Sequence, residues 1–417
     1  MPPRCGRPAH GADVDAVNVG PVASPAHRGA MTTTTAAPTP LPPGLAGVVV
    51  ASTELGDVRG EEGFFHYRQY SAVDLARATS LEEVWHLLVR GHLPDATELD
   101  GFRAELAATR DLPEALAAGL DAVAAAAPAD PMTGLRTALS ATGGLLGLRP
   151  LWDLDAAERE RDAVRLAALV PVLVAGAWRR SRGLAPIAPR ADLGHVANHL
   201  WLVTGEEPSE RAVRALERYL CLTVDHGFNA STFTARVVAS TGADVAACLV
   251  AALGALSGPL HGGAPSRALD ALDQIGSADR ARPWADAQLA AGTRIMGFGH
   301  AVYRGPDPRS DLLRETAIEL GGPLADLAVA TEAAVDASLA EHRPGKVLRA
   351  NVEFYAGVVM HEVGLPRELF TPTFAVSRTI GWTAHVLEQA RERKIIRPSA
   401  AYVGPPPPQP VPPLAAR

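Results

Sequence analysis

Three histidines sit among glycines. His226 follows Asp225 and precedes Gly227. His261 lies in Gly258-Pro259-Leu260-His261-Gly262-Gly263-Ala264, and His300 in Gly297-Phe298-Gly299-His300. A glycine beside a histidine lets backbone or ligand approach closely, which packing alone seldom requires. Cations stand in turn-like or helix-edge settings: Arg309 in Asp307-Pro308-Arg309, Arg378 after Ser377, and Arg397 between Ile396 and Pro398. Guanidinium forks bind carboxylates bidentately, so an anionic ligand is the natural partner. Taken singly, each has an ordinary reading. A lone histidine in a helical protein is usually a surface or satisfied core residue, and a lone arginine a surface charge. Glu353, in Asn351-Val352-Glu353-Phe354, reads as a helix carboxylate. Physics alone singles out only His261 and His300 as site candidates.

Generic motifs are absent. Val302 occupies the third glycine position of a dinucleotide loop beginning at Gly297, and Leu365 replaces the second histidine of a zinc-protease helix beginning at His361-Glu362. There is no phosphate loop and no Gly-x-Ser-x-Gly elbow. Cys5, Cys221 and Cys248 make neither a disulfide framework nor a metal cluster, so the expected compartment is reducing and no metal is expected.

The elements that must position these residues read as helices. Ser80 with Glu83 forms a capping box before the apolar positions Leu81, Val84, Trp85, Leu87 and Leu88, which run to Gly91. Pro94-Asp95 opens the next segment. Leu166 to Trp178 is apolar on all faces and predicts a buried helix, kinked or split by Pro171. Ser209–Leu222 and Thr241–Leu256 predict two more. Strand alternation is confined to Val48–Asp57 and Phe64–Tyr67. Of 417 residues, 47% are hydrophobic and 20% charged, which suits a soluble, mainly α-helical enzyme. A net charge of −7 argues against a nucleic-acid surface, and the longest apolar run is too short to span a bilayer. Residues 1–43, without periodicity, read as a disordered extension, and 405–417 as a proline-rich tail.

Together these segments resemble the citrate synthase family. The matching stretches are Val224 to Phe233, Gly258 to Ala264, Gly297 to Arg309, Asn351 to Val358 and Arg397 to Gly404. The openings Gly44–Val50, Gly63–Tyr70 and Leu87–Pro94 also match. The resemblance covers about residues 44–404 in the family's order. It implies a mainly α two-domain fold, with a large domain from 44–260 and 365–404 and a smaller mobile domain from 261–364. It implies condensation of acetyl-CoA, or propionyl-CoA in the 2-methylcitrate branch, with oxaloacetate. A catalytically weak paralogue that binds citrate or CoA is a third reading, against which His261, His300 and an acidic residue at 353 all stand filled.

By motif, Glu353 is the base that enolises the thioester, His261 donates to the thioester oxygen, and His300 donates to the oxaloacetate ketone. His226, Arg309, Arg378 and Arg397 hold oxaloacetate. Arg397 comes from a neighbouring subunit in the family, which implies at least a homodimer. Acyl-CoA is a co-substrate, with no permanently bound cofactor. Met296, Gly297, Phe298 and Gly299 are candidate contacts for its adenine, and Arg304, Lys346 and Arg349 for its phosphates. A cytoplasmic location is expected. Two residues depart from the common pattern: Glu353 where many members have Asp, and Gly227 where many have Glu.

Overall fold

The structure, a computed structural model, describes residues 42–126, 130–258, 261–262, 264–293, 295–299, 303, 305–342 and 348–416. Contacts divide the chain into two units, one of Ala51–Pro398 and one of its two ends, Met1–Val50 with Ser399–Arg417. In the terminal unit only two short 3-10 turns, Pro43–Leu45 and Leu414–Ala416, are regular among the described residues.

The main unit is helical, as expected. Its helices are α1 (Ala72–Ala78), α2 (Leu81–Arg90), α3 (Ala96–Ala108), α4 (Glu114–Ala126), α5 (Pro131–Leu145), α6 (Ala156–Ser181), α7 (His195–Thr204) and α8 (Glu210–Thr223). The second half carries α9 (Ala230–Ser240), α10 (Val245–Leu256), α11 (Ala264–Ile275), α12 (Ala278–Ala290), α13 (Pro308–Leu320), α14 (Pro323–His342), α15 (Val352–Glu362) and α16 (Phe370–Glu392). No helix among the described residues is long and apolar enough to cross a membrane.

Local chemistry sets the boundaries. Ser80 accepts from the Glu83 N–H at 3.3 Å, Glu83 accepts from the Ser80 N–H at 2.7 Å, and Gly91 ends α2 with φ +91°. The helix expected from Thr241 starts instead at Val245, because Asp244 accepts from the Ala247 N–H at 2.9 Å and caps it there. Pro171 does not split α6, which runs unbroken for 26 residues. Contacts with α4, α5, α7 and α16 bury residues 166–177 and keep the helix continuous despite the missing N–H.

The strand expected over Val48–Asp57 is corrected. A three-stranded antiparallel sheet forms from β1 (Gly56–Arg59), β2 (Phe64–Tyr67) and β3 (Tyr70–Ser71), with Gly56 opposite Tyr67. Val48, Val49 and Val50 are exposed, so their run of apolar residues covers no core and pairs with no strand.

Candidate active site

The site is built around the close approach of α16 to the end of α8. A Cβ on Gly381 would lie 2.0 Å from the Val224 carbonyl oxygen, so only glycine permits this packing. The contact buries Asp225, whose carboxylate receives His385 Nε2 at 3.1 Å and the Gly227 N–H at 3.1 Å. His385 Nδ1 faces Arg236 Nη1 at 3.2 Å. A guanidinium only donates, so Nδ1 accepts and the hydrogen of His385 sits on Nε2, aimed at Asp225. Arg236 also pairs with Glu388 and donates to Gln389 Oε1 at 2.9 Å. Burial alone would raise the Asp225 carboxyl, but His385 first, then the Arg378 charge and the Gly227 N–H, together hold the group below its ordinary value.

That carboxylate supports Arg378, one helical turn before Gly381 on α16. Arg378 is 3% exposed and lies over the Phe374 ring at 4.9 Å, yet among the described residues its Nε and Nη1 have no hydrogen-bond partner. Desolvation lowers its basicity and the nearby Asp225 charge opposes the shift. A buried cation with unsatisfied donors is costly unless an anion completes it.

Arg309 enters from the first turn of α13. Its Nε and Nη2 each lie 2.9 Å from Asp307, on Oδ1 and Oδ2, in a fork-to-fork pair. Asp307 Oδ2 also receives the Val352 N–H at 3.1 Å, which ties the start of α13 to the start of α15. Glu353 stands in that first turn of α15, half-buried, where Asn351 accepts its N–H at 3.1 Å. The Glu353 charge bears on Arg309 and, after burial, raises the Tyr219 phenol.

Asn351 also faces the glycine loop. Its N–H reaches the Gly297 oxygen at 2.8 Å and its Nδ2 reaches the Gly299 oxygen at 2.9 Å, while the Gly299 N–H reaches the Arg349 oxygen at 2.8 Å. Phe298 pairs with Ala350 between them. Gly297 and Gly299 both take φ +84°, the left-handed region.

His226 Nε2 lies 2.9 Å from the Tyr303 hydroxyl, and its ring meets Phe65 edge-on at 5.5 Å. The following Gly227 takes φ +63°, a conformation glycine adopts freely. Tyr303 stacks beneath the Arg309 guanidinium at 5.6 Å. His261 Nε2 lies 2.8 Å from Ser231 Oγ, on the first turn of α9. Burial, then the Arg378 charge, brings the His261 imidazole down to about 4, so it is neutral near pH 7.

A neutral imidazole, a carboxylate and two buried guanidinium groups thus share one region. The family model "Citrate synthase, C-terminal domain" matches residues 44–399. This chain belongs to the citrate synthase family. Citrate synthase of Haloferax volcanii is 39% identical over 366 residues, covering 87% of this chain and 95% of the relative. The 2-methylcitrate synthase of Mycobacterium tuberculosis is also 39% identical, over 363 residues, covering 87% and 90%. Among solved structures, the ternary complex of carboxymethyl coenzyme A and oxaloacetate with citrate synthase from Thermoplasma acidophilum has a TM-score of 0.79 at 26% identity. It covers 89% of this chain and 98% of its own.

Set in this family's frame, His226, His261, Arg309, Glu353 and Arg378 are drawn toward one another by shared partners and charges. Arg397 stands apart, exposed and in no ion pair among the described residues. His300, Arg304 and Lys346 lie outside the described residues. Arg349 pairs with Asp336 at 2.8 Å on the surface. The carbonyls of Gly297 and Gly299 and the Gly299 N–H already serve the contacts to Arg349 and Asn351. The sequence reading gave no role to Asp225, Ser231, Tyr303 or Asp307. All four stand within or beside the quoted motifs, which was the available signal.

Proposed function

We propose that this citrate synthase family member condenses acetyl-CoA with oxaloacetate and water to give citrate and CoA. The observation that carries this reading is Arg378, a buried guanidinium whose Nε and Nη1 find no hydrogen-bond partner among the described residues. A dianionic substrate supplies what that cation lacks. Glu353 takes a proton from the methyl carbon of the thioester. Neutral His261, held by Ser231, donates to the thioester oxygen as the enol or enolate forms. The enol carbon bonds to the ketone carbon of oxaloacetate, and the ketone oxygen takes up a proton with His300 as donor. Water then cleaves the citryl thioester and releases the CoA thiol. His226, Arg309, Arg378 and Arg397 hold the carboxylates.

Residues 261–364 act as the domain that closes over the substrates, expelling water from the reactive thioester. Met296 and Phe298 meet the adenine with Gly297 and Gly299, and Arg304, Lys346 and Arg349 serve the phosphates. The enzyme works as a homodimer in the cytoplasm without a resident cofactor. A 2-methylcitrate synthase reading using propionyl-CoA is favoured by the Mycobacterium relative at equal identity. One methylene discriminates by only about 1–3 kcal/mol, so a steady-state comparison of the two thioesters decides between them.

The test of the mechanism is Glu353→Gln. The amide is nearly isosteric but accepts no proton, so kcat should fall by at least about a hundredfold while oxaloacetate binding stays near normal. Exchange of the acetyl-CoA methyl protons into heavy water should stop. Near wild-type turnover would mean that another group takes the proton.

A further inference from the structure

Where α2 meets α3, the fold gathers metal-ligand atoms. His86 lies in α2, His92 just past its Gly91 cap, and Glu98 in the first turn of α3. One ligand atom from each lies within 4.8 Å of the other two. His86 Nδ1 stands 3.0 Å from the His92 carbonyl oxygen. A carbonyl only accepts, so Nδ1 carries the hydrogen and the lone pair of neutral His86 is on Nε2. Backbone carbonyls fix metal-binding imidazoles in this way.

His92 Nε2 and Glu98 Oε1 are 3.0 Å apart. Two ligands on a tetrahedral zinc ion, each about 2.0–2.1 Å from it, are separated by roughly 3.3 Å. Little movement is therefore needed at this edge. The other oxygen of Glu98 accepts the Asp95 N–H at 2.9 Å, which aims the carboxylate at the corner. His86 is buried and packs edge-on against Phe102 at 5.5 Å, whereas His92 and Glu98 are exposed. One ligand is thus fixed and two are reachable from solvent, which gives an ion an entry path. Arg90, the cation that bears on His92, is already committed to Glu105 at 2.7 Å and Glu160 at 3.0 Å.

We propose that His86, His92 and Glu98 bind one divalent transition cation of the zinc class, leaving its fourth position to water. Two imidazoles with one carboxylate suit such an ion better than magnesium or calcium, which prefer all-oxygen sets. Binding replaces the hydrogen bond between His92 and Glu98, and any proton held between them passes to solvent. The ion staples the α2–α3 corner. It takes no part in the condensation, whose residues lie elsewhere.

The test uses the full-length chain, stripped with a chelator and titrated with Zn²⁺ by calorimetry. Melting curves are recorded in parallel. The variants His92→Ala and Glu98→Gln change exposed side chains and leave the core intact. The wild type should take up one equivalent and melt at a higher temperature with Zn²⁺. Both variants should bind at least about tenfold more weakly and lose that shift. Their condensation rate without metal should match the wild type. If the wild type takes up no Zn²⁺, or if His92→Ala titrates like the wild type, the site does not exist.

Discussion

His261 has its imidazole brought down to about 4 by burial and then by Arg378. An unfolded histidine titrates near 6.5, so between these values the unfolded chain binds a proton that the folded chain refuses. The His261 contribution to stability is therefore complete above about pH 6.5 and declines as pH falls toward 4. An NMR titration should show His261 neutral at pH 6, and a protonated ring there would contradict the hydrogen-bonding role given to it. Tyr303 yields a second expectation. Its hydroxyl meets His226 Nε2, so Tyr303→Phe removes one hydrogen bond and frees the ring to turn. A loss of about 1 kcal/mol corresponds to a roughly fivefold rise in KM for oxaloacetate, with a smaller change in kcat. An unchanged KM would remove Tyr303 from the site. Neighbouring glycines make His261 visible in the sequence, and the family motif adds His226. Their partners are not, because Tyr303 is 77 positions from His226 and Ser231 is 30 from His261. Such pairs exist only once the helices have packed.

Among the elements, α16 is tightly held at one point. Gly381 faces the Val224 carbonyl so closely that any side chain forces the two helices apart. Gly381→Ala should cost roughly 1–3 kcal/mol in overpacking, read as a lower melting temperature. It should also weaken oxaloacetate binding, because Arg378 and Asp225 face each other across that contact. A variant that melts and binds like the wild type would mean that the helix shifts without consequence. Helix ends governed by local chemistry, such as Ser80 with Glu83, are readable from residue order alone. The continuity of α6 through Pro171 is not, because it depends on the helices packed around it. Val48–Val50 misleads for the opposite reason, since apolar residues signal a strand only where something covers them.

For the whole molecule, one expected site cation differs from the others in its exposure. Arg397 is exposed, while Arg309 and Arg378 are buried. If a neighbouring subunit supplies Arg397, two inactive variants should rescue each other. Arg397→Ala mixed with His300→Ala under subunit exchange should recover up to about a quarter of wild-type activity per site, because random mixing makes half the dimers mixed and each holds one intact site. Exchange shown by mass spectrometry without recovered activity would refute the shared site. The order of the motifs along residues 44–404 reveals the family, but residue order alone says nothing of contacts between two copies.

Asn351 joins the glycine loop to the turn that carries Glu353. Its main-chain N–H and its amide nitrogen grip the oxygens of Gly297 and Gly299, while its Oδ1 takes the Glu353 N–H. Loop and base are thereby one lever. On the proposed reading, the nucleotide end of coenzyme A presses on one arm and the carboxylate sits on the other. A truncated thioester that keeps the acyl group but lacks the nucleotide would reach the base without that leverage, and the handicap would show in the speed of proton removal as well as in affinity.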